Sequence, residues 1–191
     1  MWFMALGNEG ADMDIDSLIN DVIDGEGGYS NQAADAGGAT RWGITEAVAR
    51  AEGYGGDMRR LSRAQAAAIY RRRYWAAPGL DGVAAVASAL AAELFDTGVN
   101  MGPVAAASFL QRALNALNRG ARDYPDLLVD GRLGLRTAAA LSAFLALRGR
   151  SGEGVLLKAV EALQGEKYLA LAEARPANEA FLYGWLANRI G

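Results

Sequence analysis

Apolar residues recur at helical spacing over most of the chain, and strand-like alternation is scarce. Ile15, Leu18, Ile19, Val22 and Ile23 share one helical face, with Asp14 and Asp16 at the end where a helix dipole favours acidic groups. Gly25, Gly27 and Gly28 break that helix. Residues 29–45, rich in Gly, Asn, Asp and Thr, then read as an irregular segment or a small hairpin. Thr45 caps a short helix reaching Arg50, and Ser62 with Gln65 makes a capping box for a helix ending near Trp75. After Pro78-Gly79 a helix is predicted from Val83 to Asp96. Pro103 opens another, with Val104, Ala107, Leu110, Leu114 and Leu117 on one face. Asp130 to Gly134 is a turn, residues 135–148 and 152–174 are helical runs parted by Gly149–Ser151, and a last helix carries Phe181, Leu182, Trp185 and Leu186.

The pattern predicts a mainly α protein with a small irregular or hairpin segment after its first helix. No internal repeat is visible, and no linker is rich enough in Pro, Ser or Gly to separate independent domains. The expected organisation is a loose leader over 1–13, a half over 14–100 that carries the chemistry, and a helical half over 101–191, the two packed as one unit. Residues 1–6 are apolar but lack the basic flank and length of a signal peptide. No run reaches the roughly 18 apolar residues of a membrane span.

Composition narrows the chemistry. With 52% hydrophobic and 21% charged residues the 191-residue chain is globular in type, and a net charge of −3 gives no basic footprint for nucleic acid. The chain has no cysteine and no histidine. Zinc-activated water and Ser-His-Asp or Cys-His nucleophiles therefore lack their usual groups. Acid–base work falls to Asp, Glu, Lys or Tyr, with carboxylates foremost. No cofactor or metal is expected. Asp12, Asp14 and Asp16 mimic the start of a calcium loop, but Ser17 and Ile23 occupy the positions that need Gly and Glu.

Glu26 stands out among the carboxylates. It follows Ile23 by three residues and Val22 by four, so a helix reaching it places its carboxyl at the edge of the apolar face. Low solvation there, and the negative end of the helix dipole, would both disfavour the anion, as suits a general acid. By themselves these residues favour a plainer account, a solvated helix-end glutamate before a glycine cap.

The continuation changes that balance. Glu26-Gly27-Gly28-Tyr29-Ser30-Asn31, Asp35, Gly37-Gly38-Ala39-Thr40 and Gly43-Ile44-Thr45 closely resemble the glycoside hydrolase family 108 muramidases, relatives of phage endolysins and bacterial secretion-activator proteins. Further landmarks are Ile69-Tyr70 through Tyr74-Trp75, Phe95-Asp96-Thr97-Gly98-Val99-Asn100-Met101-Gly102, Leu110–Leu114, Val129-Asp130-Gly131 and Gly184–Arg189. The resemblance implies a lysozyme-like helical fold and cleavage of the β-1,4 bond between N-acetylmuramic acid and N-acetylglucosamine.

Carried over residue by residue, the resemblance makes Glu26 the catalytic acid, Asp35 the second carboxylate, and Thr40 a residue that helps position water. The eight residues between Glu26 and Asp35 match the more distant phage-type lysozymes, whereas the gap to Thr40 is one residue shorter than theirs. Tyr29 and Trp42 flank this segment as candidate stacking rings for sugars, with the hydrophobic core as their alternative place. Asp96 and Asn100, one helical turn apart, are candidates for hydrogen bonds to substrate or for helix capping. Arg59, Arg60, Arg63 and Arg71–Arg73 form a basic cluster, either a solvated helix face or an attractor of anionic wall polymers. Asp130-Gly131 with Gly134 and Thr137 resembles a turn of peptidoglycan-binding modules, and the same residues also suit a turn that simply needs glycine.

The expected partner is the peptidoglycan glycan strand, met by a monomer made in the cytoplasm without a signal peptide. Such a protein needs a holin or a secretion partner to reach the wall, and neither nucleic acid nor stable membrane insertion is expected. Two rival functions remain on sequence grounds: a lytic transglycosylase, and a non-enzymatic peptidoglycan-binding or secretion accessory module.

Overall fold

The structure, a computed structural model, describes residues 14–30 and 38–191. The leader expected over 1–13, and Asp35, lie outside the described residues. Backbone contacts divide the chain into two units, Met13–Ala77 and Pro78–Gly191. The architecture is mainly α with one small antiparallel sheet after the first helix, as the hydrophobic pattern predicts.

In the first unit, α1 (Ile15–Glu26) begins where the Asp14 carboxylate accepts the Asp16 amide at 3.0 Å. Ile19 and Ile23 are its fully buried residues. Strands β1 (Tyr29–Ser30), β2 (Thr40–Arg41) and β3 (Ile44–Thr45) follow in sequential antiparallel order. Tyr29 faces Arg41 and Ser30 faces Thr40; Thr40 in turn faces Thr45. The Thr45 hydroxyl accepts the Val48 amide and starts α2 (Glu46–Ala51). Ser62 and Gln65 form the predicted capping box on α3 (Arg63–Tyr70), which continues into a π-helical turn over Arg71–Ala76. Helices α1 and α3 pack together, tied by Arg63 to the Asn20 amide oxygen and the Asp24 carboxylate, each at 3.0 Å.

The second unit is helical. The helix expected over Val83–Asp96 is two, α4 (Leu80–Ala84) and α5 (Ser88–Met101). The chain turns at Ala87, whose backbone is non-helical (φ −154°, ψ 81°), and α5 then runs five residues past Asp96. No side chain at its own start caps α5. Glu153, from a distant helix, accepts the Ala89 amide at 3.1 Å, placing a negative charge at the positive end of the dipole. Pro103 opens α6 (Pro103–Leu117), and α7 (Leu135–Ala174) is broken at Gly149 (φ +63°), where the sequence parts two helical runs. Helix α8 (Glu179–Arg189) closes the chain. Among the described residues no helix is long and apolar enough to cross a membrane.

The turn after Val129 is held by buried Gln111. Its amide nitrogen donates to Asp130 at 2.8 Å and to the Arg132 carbonyl at 3.0 Å, and its oxygen accepts the Gly131 amide. Gly131 has φ +70°, and a methyl group there would lie 2.9 Å from the Val104 carbonyl. Packing and backbone conformation therefore account for this motif.

Burial also traps a charged cluster in this unit. Glu93 on α5 accepts from the Thr97 hydroxyl (3.1 Å) and, with the amide of Gln164 turned to satisfy its neighbours, from Gln164 of α7 (3.0 Å). One turn on, Asp96 pairs with Arg189 of α8 at 2.9 Å. Burial first, and Asp96 second, raise the Glu93 carboxyl to about 7; Glu161 adds to this, while the Thr97 hydroxyl and Arg189 oppose it. The folded chain thus holds a proton that the unfolded chain, with its carboxyl at 4.5, releases. Stability is full below that value and falls as pH rises toward 7, by an upper bound of about 3 kcal/mol. Glu93→Gln should flatten this fall and leave the variant more stable than wild type at pH 8. Thermal unfolding between pH 4 and 8 checks it, and curves that stay parallel would refute the role of Glu93.

Candidate active site

Glu26 is the last residue of α1, and Gly27 leaves the helix with φ +78°. That conformation costs an L side chain about 1–2 kcal/mol, so the glycine is what allows the chain to turn away here. Only Ile19 and Ile23 of the apolar stripe are fully buried, and Glu26 itself is exposed. The low solvation expected from its spacing is not met, because the stripe ends one turn before it. Among the described residues, a methyl group at Gly25, Gly27 or Gly28 would meet nothing within 4 Å, so these residues leave the backbone around Glu26 open. A bulky polymer has room to approach it.

What holds Glu26 comes from the hairpin. β2 and β3 are joined by two residues, Trp42 (φ +55°) and Gly43 (φ +73°). Two positive φ values in a two-residue hairpin are the mark of a type I′ turn, whose twist matches the strands. Gly43 lies directly against the acid: a methyl group there would sit 2.8 Å from Glu26 Cγ, 2.9 Å from Cβ, and would overlap the Tyr70 hydroxyl. Tyr70, buried at the end of α3, donates to the Trp42 carbonyl at 3.1 Å. The Trp42 indole donates to the Leu61 carbonyl at 2.9 Å. These two bonds hold a bulky residue in a backbone region it rarely adopts.

The aromatic candidates are half-buried, and each has a ring face covered. Arg59 lies over Tyr29 with its guanidinium carbon 5.1 Å from the ring centre; Arg41 lies over Trp42 at 5.3 Å. Thr40 is half-buried in the middle strand between Ser30 and Thr45. Most of the basic cluster is tied down: Arg63 pairs with Asp24, Arg71 with Asp16, and Arg72 and Arg73 with Glu52. Asp96 and Asn100 belong to the second unit, where Asp96 engages Arg189 and the Asn100 amide donates to the Asp96 carbonyl and carboxylate.

Sequence reasoning overlooked Gly43, Tyr70 and the Arg41–Trp42 pairing as parts of one site. Gly43 between the β-prone pairs Thr40-Arg41 and Ile44-Thr45 was the local signal for the turn. Nothing in the spacing connects residue 70 to residue 26. Gly43→Ala should combine backbone strain with displacement of the Glu26 side chain. We expect a loss of about 1–3 kcal/mol in stability and at least a roughly tenfold drop in wall lysis. Turbidity loss of purified peptidoglycan, with thermal unfolding alongside, checks this. Wild-type lysis by that variant would mean the hairpin does not set the position of Glu26.

Comparison with known proteins agrees with this layout. Residues 19–102 match the family described as glycosyl hydrolase 108, and residues 105–190 match the predicted peptidoglycan domain. Among solved structures, that of Brucella abortus SagA is similar over 90% of this chain and 86% of its own. The identity is 24% and the TM-score 0.63, a likeness of fold. No curated protein matches the chain. With Glu26, the hairpin and Tyr70 all inside the first match, the chain carries a glycosyl hydrolase 108 module followed by a predicted peptidoglycan domain.

Proposed function

We propose that this peptidoglycan hydrolase is an N-acetylmuramidase that cleaves the β-1,4 bond between N-acetylmuramic acid and N-acetylglucosamine, with Glu26 as its general acid. The observation that carries the reading is the seating of an exposed helix-end carboxyl against Gly43, on a hairpin pinned by Tyr70 and Leu61. An acid that protonates the leaving oxygen of a polymer must be open to the polymer yet held in one place. Open backbone on one side and a close-packed turn on the other meet both needs.

In this reading Asp35 is the partner carboxylate. A general base working through water needs roughly 6.5–9.5 Å between the carboxyls and inverts the anomeric centre; a nucleophile needs roughly 5–5.5 Å and retains it. By analogy with phage-type lysozymes we assign inversion, with Asp35 activating the water and Thr40 helping to orient it. The sugar–oxygen bond breaks as Glu26 gives its proton to the departing sugar. The water loses a proton to Asp35 as it bonds to the anomeric carbon. Release from the cytoplasm by a holin, or export with a secretion partner, would bring the chain to its substrate.

Glu26→Gln should abolish lysis of purified peptidoglycan while leaving the fold intact by circular dichroism; retained lysis would remove Glu26 from the mechanism. Mass spectrometry of the digest should give reducing N-acetylmuramic ends. Anhydro ends would instead identify a lytic transglycosylase. Asp35→Asn should abolish hydrolysis as well, and a variant keeping more than about a tenth of wild-type rate would exclude the two-carboxylate scheme.

A further inference from the structure

All but one of the arginines of the first unit fall into two groups, Arg60 belonging to neither. Arg50, Arg63, Arg71, Arg72 and Arg73 each meet a carboxylate of the same unit. Arg41 and Arg59 meet none among the described residues, and lie instead on the faces of Trp42 and Tyr29. The two are neighbours by construction. Arg41 stands opposite Tyr29 in the β1–β2 pair, and its Nη1 donates to the Arg59 carbonyl. The Arg41 Nε is buried with no hydrogen-bond partner among the described residues.

A guanidinium over a ring can keep N–H donors at its edge. Arg59 is exposed and offers such an edge, whereas Arg41, with Nη1 on the Arg59 carbonyl and Nε buried, adds Nη2. That edge matches the two oxygens of a carboxylate. Two such cations side by side repel each other, and the arrangement gains most from an anion between them. With a ring face of Tyr29 and of Trp42 each occupied by a cation, this strip of hairpin is built for charge more than for sugar stacking. Trp42 adjoins Gly43, which touches Glu26, so the strip borders the acid.

We propose that Arg41 and Arg59 form a carboxylate-binding site beside Glu26 that takes the free carboxylates of the peptide stems borne by N-acetylmuramic acid. This rests on reading the site as peptidoglycan-cleaving, since the stems are then the anions nearest the cleaved bond. The site makes the enzyme one that prefers peptide-bearing strands over bare glycan.

The test is binding of the full chain to a disaccharide–tripeptide, compared with the same compound after its stem carboxylates are converted to amides, by calorimetry. Wild type should bind the free acid about tenfold tighter, less so at high salt. Arg59→Gln, at an exposed position, should reduce that ratio to near one, while Arg60→Gln keeps it. Arg41→Gln should reduce it too, provided its unfolding transition is unchanged. Equal binding of both compounds by wild type, or an undiminished ratio in Arg59→Gln, would overturn the proposal. Binding needs no cleavage, so a failed role for Glu26 leaves this result readable by itself.

Discussion

The first unit depends on one contact, that of Gly43 with the side chains of Glu26 and Tyr70. There is no room at this point for even a single methyl group. Because Gly43 must also hold φ +73°, the same residue answers a steric and a conformational demand. The hairpin can approach α1 only if its tip lacks a Cβ, and α1 ends at Glu26 only because Gly27 turns the chain away. Two glycines thus locate one carboxyl. Trp42 shows the cost of this arrangement, since a large residue at φ +55° persists only under constraint. Tyr70 and Leu61 supply that constraint from the α3 side, so the position of the Glu26 side chain is referred to the core and not to the loop.

The division of labour among charges follows from where each can find a partner. Surface pairs such as Arg63–Asp24 join α1 to α3 but contribute little individually. Their effect is to neutralise charge on the helix faces, while Arg41 and Arg59 lie over Trp42 and Tyr29 without a carboxylate partner among the described residues. In the second unit the balance is reversed. Glu93 is half-buried close to Asp96, and a desolvated carboxyl without full compensation holds its proton to higher pH. Arg189, near the end of the chain, reaches back to Asp96 and so ties α8 to α5 by a half-buried pair.

The family boundaries and the packing boundary differ in an instructive way. The glycosyl hydrolase 108 match runs to residue 102 and so includes α4 and α5. By contacts these helices join α6 and α7 in the second unit. α5 is capped by Glu153 of α7, which makes a helix of the hydrolase module depend on a residue from the peptidoglycan domain.

Much of this was legible in the order of residues, because local rules suffice where an element is its own neighbour. The apolar period predicts α1, α6 and α8; Ser62 with Gln65 predicts the start of α3; Pro103 and Gly149 mark a start and a break that the backbone obeys. The absence of histidine and cysteine put carboxylates foremost among the acid–base candidates, and the Glu-Gly-Gly-Tyr run marked out Glu26. Tertiary structure alone decided the rest. Whether Glu26 is buried depends on where the stripe stops packing, and it proved exposed. That Tyr70 serves residue 26 through residue 43, or that Glu153 caps a helix 64 residues earlier, follows from chain crossings that no period encodes. Local sequence determines what each segment can form; only packing determines which distant side chain completes it.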